Sequence, residues 1–233
     1  MAGTLMSATV TAAATASDEY KATTKLRGLA RASVNPTDLS DIYRSDTNIA
    51  VWQRQLPCPV QQEVAALLAG SAPCEVSLTT SPERLRAALG IALPGAQIDA
   101  LVDDIAELVE MYTCLFEWDC VGLRLTALTR AMCPRFHVDH VPCRIVTTYQ
   151  GQATQWLKHQ VVNRERLGRG SEGKPDDVSG LYAAASAIEQ LAAGDVALLK
   201  GERWLGNEGA GLVHRSPALE DGERRLLLTL DMA

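Results

Sequence analysis

A change in hydrophobic pattern near residue 130 constrains the fold of this 233-residue chain more than any other feature. Before that point apolar residues recur at helical spacing, most clearly over residues 96–118, where they lie three and four positions apart. After it, short runs rich in Val, Ile and Leu alternate with glycine-bearing turns, a pattern typical of β-strands. We therefore predict an α+β fold in which N-terminal helices pack on an antiparallel sheet system closed as a barrel.

Proline, glycine and serine mark the ends of the predicted elements. Helices are expected over residues 60–69, 81–89 and 96–118. Strands are expected over residues 49–56, 138–149, 195–200, 211–214 and 224–230. Residues 163–180 are polar and rich in arginine and glycine. We expect a surface loop there, of the kind that covers or lines a binding site.

Composition sets the domain organisation and excludes several protein classes. Residues 1–35 contain few large apolar side chains and are expected to form a disordered tail, and residues 36–233 a single domain. Within it, residues 36–129 are expected to be mainly helical support and residues 130–233 the β core. A net charge of −6 argues against general nucleic-acid binding. Without a membrane-spanning run or an export signal, we expect a cytoplasmic protein with reduced cysteines and no membrane partner.

Two histidines and an aspartate have the order of a facial metal triad. His137 and Asp139 are two positions apart, so on a strand their side chains point to the same side, and His214 follows later in the chain. His140 has the opposite parity and is expected to point away. Two imidazoles and one carboxylate hold Fe(II) and leave coordination positions open, which favours chemistry at the metal over a structural role.

An arginine opens the strand that follows His214. Arg224 follows an Asp-Gly turn with one residue between them, and Leu226 and Leu228 share its strand parity. A guanidinium on the apolar side of a strand needs an anionic partner, and a dicarboxylate bound through two hydrogen bonds would supply one. Arg225 is adjacent, so a shift of one residue in register would exchange the roles of the two arginines.

The order of these residues resembles that of the Fe(II)/2-oxoglutarate-dependent oxygenases, in particular the prolyl-hydroxylase-like members. In that superfamily His-x-Asp is followed by a strand ending in Tyr, a Gly-Asp strand entry, His, and Arg about ten residues on. The matching positions here are His137-Val-Asp139, Tyr149, Gly194-Asp195, His214 and Arg224. The runs Cys-Pro-Arg-Phe-His-Val-Asp-His-Val and Thr-Tyr-Gln-Gly-Gln-Ala-Thr-Gln-Trp also resemble a bacterial family of unknown function.

The resemblance implies a double-stranded β-helix core, of the jelly-roll or cupin kind, and an Fe(II)- and 2-oxoglutarate-dependent dioxygenase. It implies that His137, Asp139 and His214 bind Fe(II). Arg224 would pair with the distal carboxylate of 2-oxoglutarate, and Tyr149 would hydrogen-bond the same group. The substrate, a small molecule or a protein side chain, is set by loops and is not readable from the sequence.

Alternatives without oxygenase turnover stay open from the sequence. Cys133, His137, His140 and Cys143 are closely spaced, and cysteine and histidine suit tetrahedral Zn²⁺, although the spacing matches no standard zinc finger. The His-Asp-His pocket is also compatible with zinc storage or sensing, and the fold with a non-catalytic interaction module. A zinc carrier does not need an anchor for a dicarboxylate, so the surroundings of Arg224 discriminate between these functions.

Overall fold

A computed structural model describes residues 28–70 and 73–233 of the chain. The α-helices within them are α1 (Cys58–Ala69), α2 (Pro82–Ala92) and α3 (Asp99–Phe116), and a 3-10 helix spans Pro36–Tyr43. The strands are β1 (Leu29–Ser33), β2 (Thr47–Trp52), β3 (Glu75–Thr80), β4 (Val121–Leu128), β5 (Cys143–Gln150), β6 (Gln155–Leu157), β7 (Ile188–Gln190), β8 (Val196–Lys200), β9 (Val213–Arg215) and β10 (Arg225–Met232). Among the described helices, none combines the length and the apolar character needed to cross a bilayer.

The described strands form two sheets with an apolar interior between them. The larger sheet has the order β1-β2-β8-β5-β10-β4-β3, and the smaller has the order β7-β6-β9. The β1–β2 pair is parallel, whereas the other pairs are antiparallel. Ile49, Val146 and Leu227 of the larger sheet pack together with Trp156 of the smaller one. The candidate site lies in this interior, because its residues lie on the strand faces that the two sheets turn toward each other.

The helices cover the opposite face of the larger sheet. Leu101, Ile105, Leu108 and Tyr112 of α3 recur three and four positions apart, and all are fully buried. Burial of each such aliphatic side chain stabilises the fold by roughly 1.5–3 kcal/mol. The Tyr112 hydroxyl also donates a hydrogen bond of 2.8 Å to the carbonyl of Cys143, which fastens α3 to β5. The predicted packing of an amphipathic helix on a sheet is thereby confirmed.

The segment before residue 130 contributes more than helical support. Strands β1 to β4 all precede residue 130, and all four belong to the larger sheet. The predicted disordered tail covers residues 1–35; residues 1–27 lie outside the described residues, whereas residues 29–33 form β1. The parallel pairing of β1 with β2 gives this short strand its backbone partners, so the disorder predicted for residues 29–33 is wrong.

Residues 158–187, here called the cover segment, run over the smaller sheet as a series of short 3-10 turns. The segment packs through Leu181 and Tyr182, which join Leu157 of β6 and Val213 of β9 in a small separate core. Tyr182 also meets Phe136 edge to face, with 5.7 Å between ring centroids. The cover segment is therefore anchored beside the residues that precede His137.

Candidate metal centre

His137 and His214 are neighbours in an antiparallel backbone bridge. His214 lies on β9, and each of the two residues donates its backbone N–H to the carbonyl of the other at 3.0 Å. Residues paired in this way carry their side chains side by side. The two imidazole centroids are accordingly 4.6 Å apart.

Asp139 faces both imidazoles. The Nε2 atom of His137 lies 3.6 Å from one carboxylate oxygen, and the Nε2 atom of His214 lies 3.4 Å from the other. The ligand atoms of the three side chains all lie within 4.8 Å of one another. Within the described part of the chain this is the one group of three such residues close enough to share an ion. The predicted convergence of these three residues is present in the structure.

Hydrogen bonds to the backbone determine which imidazole nitrogens face the carboxylate. His137 Nδ1 lies 2.9 Å from the carbonyl oxygen of Arg135, and His214 Nδ1 lies 3.2 Å from that of Leu212. Since a carbonyl only accepts, Nδ1 carries the proton in both rings, and the Nε2 atoms of the neutral rings present lone pairs. These lone pairs and the Asp139 carboxylate point to one place, where a cation would bind all three; without a cation, a ring that is protonated at Nε2 donates to the carboxylate instead. The donor set therefore fits a divalent metal, and its composition fits Fe(II).

Arg144 holds the Asp139 carboxylate in place. Its Nη1 donates to Asp139 at 2.7 Å, while Nε and Nη2 donate to the two oxygens of Asp231 at 2.6 and 2.9 Å. Burial alone would raise the pKa of Asp139. Hydrogen bonds from His137 and His214, together with the charge of Arg144, outweigh burial and hold that pKa well below its usual range. Asp139 is therefore ionised and oriented.

Arg225 is a fully buried arginine in the same interior. Its guanidinium donates to the hydroxyls of Thr148 at 3.0 Å, Thr154 at 2.9 Å and Ser216 at 2.8 Å. Within residues 28–70 and 73–233, no carboxylate forms an ion pair with it. Burial lowers its pKa to about 10, and the charge of Glu223 only partly opposes that effect. Such a group is a ready site for an anion.

The triad and Arg225 face the same interior, because residues two or four positions apart on a strand point to the same side. Arg144, which holds Asp139, and Thr148, which holds Arg225, are four residues apart on β5 and point to the same side. His214 lies on β9, and Ser216, which accepts a hydrogen bond from Arg225, comes two residues later, just beyond the end of the strand. These two side chains also point to the same side. At 3.2–3.4 Å per residue, two residues along β9 correspond to about 7 Å and four residues along β5 to about 13 Å.

The anchor residues predicted from the sequence lie elsewhere. Arg224 donates to the carbonyls of Leu68 and Gly70 at the C-terminal end of α1, on the helical side of the larger sheet. The Tyr149 hydroxyl donates to Asp104 at 2.7 Å on that same side. Neither side chain reaches the interior that holds the triad. The positions of Arg224 and Tyr149 therefore do not fit the roles predicted for them, and Arg225 is the arginine whose side chain faces the interior.

The alternative cysteine and histidine set is not assembled. Cys143 is fully buried in the core beneath the helices, whereas Cys133 and His140 are exposed. Because Cys143 faces away from the interior that contains His137, the four residues do not surround a common point. A closed Cys/His zinc site is not supported.

Asp176 of the cover segment is a residue that the sequence did not single out. It is buried, and its Oδ2 atom accepts hydrogen bonds from the backbone N–H of Phe136 at 2.8 Å and from Arg215 at 3.3 Å. Phe136 directly precedes His137, and Arg215 directly follows His214. The Asp176 carboxylate thus links the two segments that carry His137 and His214. An aspartate in a polar loop gives no sequence signal that distinguishes it from its exposed neighbours.

Comparison with solved structures shows the fold. The chain is similar to the dioxygenase for auxin oxidation 1 from Arabidopsis thaliana, solved with 2-oxoglutarate, with a TM-score of 0.50 and 10% identity over 88% of this chain and 92% of that one. Structures with TM-scores below 0.5 include the rice dioxygenase for auxin oxidation (0.48, 11% identity, 88% and 83% covered) and a Pseudomonas putida prolyl-4-hydroxylase (0.45, 12% identity, 84% and 96% covered). At such identities the likeness concerns the fold alone.

The sequence itself identifies the family. No curated protein matches the chain. The family model described as "Protein of unknown function (DUF1826)" matches residues 33–231, which include every element from the 3-10 helix to β10 except its last residue. The chain therefore belongs to the DUF1826 family.

Proposed function

We propose that this protein is an Fe(II)- and 2-oxoglutarate-dependent dioxygenase with a double-stranded β-helix core. One observation carries the proposal: the converging donors of His137, Asp139 and His214 share an interior with Arg225, a buried cation that forms no ion pair with a carboxylate of the described residues. A metal site alone would fit storage or sensing equally well. The combination of a three-ligand metal site with an adjacent carboxylate anchor fits an oxygenase that binds a dicarboxylate cosubstrate.

The three ligands would hold Fe(II) and leave open positions for cosubstrate and O₂. Bound Fe(II) would supply the redox chemistry in which 2-oxoglutarate, O₂ and a substrate C–H bond give succinate, CO₂ and a hydroxylated product. The protein's own contribution is orientation. The carbonyls of Arg135 and Leu212 fix the imidazole tautomers. Arg144 occupies one oxygen of Asp139, so the carboxylate cannot rotate away from the histidines.

Arg225 would bind the distal carboxylate of 2-oxoglutarate. Its three hydroxyl partners hold the planar guanidinium in a fixed orientation, and a carboxylate matches the geometry of its donors. The anion would also offset the cost of keeping this charge in an apolar interior. A protein that only carried zinc would gain nothing from this arrangement, so the environment of Arg225 favours the oxygenase over the zinc carrier.

Anaerobic titration of the metal-free protein, first with Fe(II) and then with 2-oxoglutarate, tests the proposal. We expect a visible metal-to-ligand charge-transfer band that requires both additions and is absent from the His137→Ala variant. His140→Ala is the matched control, because this exposed histidine lies three residues away and outside the triad. The proposal is wrong if the wild-type protein binds Fe(II) but gives no band with 2-oxoglutarate, or if His137→Ala retains the band.

A further inference from the structure

An open cleft of about 640 Å³ lies beside the triad and is lined by His137. The His137 side chain is 34% exposed whereas that of His214 is 9% exposed, so the triad is more open to solvent on the His137 side. One wall is formed by the residues around His137 and the other by the cover segment. Part of the lining is apolar: Phe136, Val138 and Leu167.

Most of the charged groups that line this cleft already have partners. Asp176 is shared between Arg135 at 3.6 Å and Arg215 at 3.3 Å. Arg166 lies 3.4 Å from Glu172, in an exposed pair that solvent screens. The Glu202 carboxylate accepts a hydrogen bond of 2.6 Å from the backbone N–H of residue 209. The lining also includes the exposed His140, so basic groups outnumber the acidic ones here although the whole chain is acidic.

Arg164 is a charged residue of the cleft that has a buried hydrogen-bond donor without an acceptor. Its Nη2 donates to the carbonyl of Gly211 at 2.5 Å and lies 3.2 Å from Nδ1 of His159. Its Nε is buried and has no hydrogen-bond partner, and no carboxylate in the described part of the chain forms an ion pair with it. Burial lowers the pKa of Arg164, and the charge of Glu202 only partly opposes that effect. An anion bound beside this guanidinium would offset the cost of its burial.

The position of Arg164 is fixed before any ligand arrives. The turn that carries it is tightly folded, since a side chain at Gly170 would collide with the carbonyl of Glu165. Asp176, farther along the cover segment, is bonded to the residue that precedes His137. The hydrogen bond from Nη2 to the Gly211 carbonyl orients the guanidinium itself, and a side chain that is already held loses less freedom on binding an anion.

We propose that the substrate is an organic carboxylate with an apolar body. Its carboxylate would bind Arg164 in the cleft, and its body would lie on Phe136, Val138 and Leu167. This is a second carboxylate site, separate from Arg225, where 2-oxoglutarate would bind. Its assignment to the substrate rests on the proposed function, whereas its preference for carboxylates is measurable without turnover.

Calorimetric titration of the full chain with matched acids and amides tests the preference. The probes are phenylacetate with phenylacetamide and hexanoate with hexanamide, added with and without Fe(II) and saturating 2-oxoglutarate under argon. We expect at least one acid to bind ten times more tightly than its amide. Arg164→Gln should abolish that difference and leave the charge-transfer band with 2-oxoglutarate unchanged. Arg169→Gln, an exposed arginine of the same segment, is the control and should keep the preference.

Three results would overturn the carboxylate site: acids and amides bind equally to the wild-type protein, the preference survives in Arg164→Gln, or inorganic phosphate binds more tightly than either acid. Arg164→Lys keeps a positive charge and should restore part of the preference if the glutamine variant has lost it through charge. If the wild-type protein forms no band with Fe(II) and 2-oxoglutarate but shows an Arg164-dependent preference for acids, the dioxygenase proposal fails and the carboxylate site stands.

Discussion

Arg224 and Arg225 are adjacent in sequence and point to opposite faces of the larger sheet, so they form a matched pair for testing the cosubstrate anchor. In Arg225→Gln the distal carboxylate of 2-oxoglutarate loses a charged hydrogen-bonding partner. Hydrogen bonds to charged groups contribute about 1.5–3 kcal/mol, which corresponds to a rise in Kd of about 10- to 150-fold. The affinity for Fe(II) should not change, because Arg225 bonds to hydroxyls and not to the metal ligands. Arg224→Gln should leave both affinities unchanged.

The assay is the charge-transfer band, titrated with 2-oxoglutarate at saturating Fe(II) under argon. Thermal unfolding of the metal-free variants verifies that both remain folded. A large loss of stability is not expected in Arg225→Gln, because the amide still reaches a hydroxyl and an uncompensated charge leaves the interior. An unchanged Kd in Arg225→Gln, or an equal loss in Arg224→Gln, would refute the assignment of Arg225 as the anchor.

Three further predictions concern the supporting structure. Asp176→Asn should weaken Fe(II) binding about tenfold or more, whereas Asp177→Asn should not; metal titration of the two variants compares them. Asp104→Ala leaves Arg54 buried without its partner at 2.6 Å and should lower the free energy of unfolding in urea by about 3–5 kcal/mol. Desolvation lowers the pKa of Lys200 to about 8, below its unfolded value of 10.5, so the unfolded chain binds more protons between these pH values. The free energy of unfolding of the wild-type protein minus that of Lys200→Met should therefore rise from pH 8 to pH 10.5. A difference that does not change with pH would contradict this.

The convergence of the triad could be predicted in part because its signal is local. His137 and Asp139 are two positions apart, a spacing that puts side chains on the same side where the backbone is strand-like, as it is at the His137 bridge. The pairing with His214 is a long-range contact, and only the order of the residues along the chain indicated it. The amphipathic stripe of α3 was equally readable, since a single helix face carries its large apolar residues.

The sequence favoured Arg224 over Arg225 as the proposed cosubstrate anchor, although it indicated correctly which residues of β10 share a face. Arg224 does share a face with Leu226 and Leu228, but that face lies under the helices. Leu227, on the opposite face, is also buried, between the two sheets. When both faces of a strand are covered, alternation no longer separates the inside from the outside. Tyr149 was misplaced for the same reason, because β5 is also covered on both sides.

Two strands of the larger sheet, β4 and β1, differ in how strong a signal their sequences carry. Strand β4 has a readable alternation, with Val121, Leu123 and Leu125 fully buried on one face. Strand β1 has no such signal, because only five residues pair along one edge and none of them is buried. Its existence depends on β2, and such a dependence on tertiary context is not visible in a local sequence window.

Strand β10 lies between β4 and β5 in the larger sheet, although both partners precede it by many residues. Long-range pairing of this kind raises the contact order and slows folding. While a chain is being synthesised, β4 and β5 therefore present unpaired edges until residues 225–232 have emerged from the ribosome, and such edges are prone to aggregate. The same strand brings Arg225 and Asp231 to the site. A chain interrupted before it would contain all three triad residues, yet it would lack the strand that joins β4 to β5 and the guanidinium of Arg225.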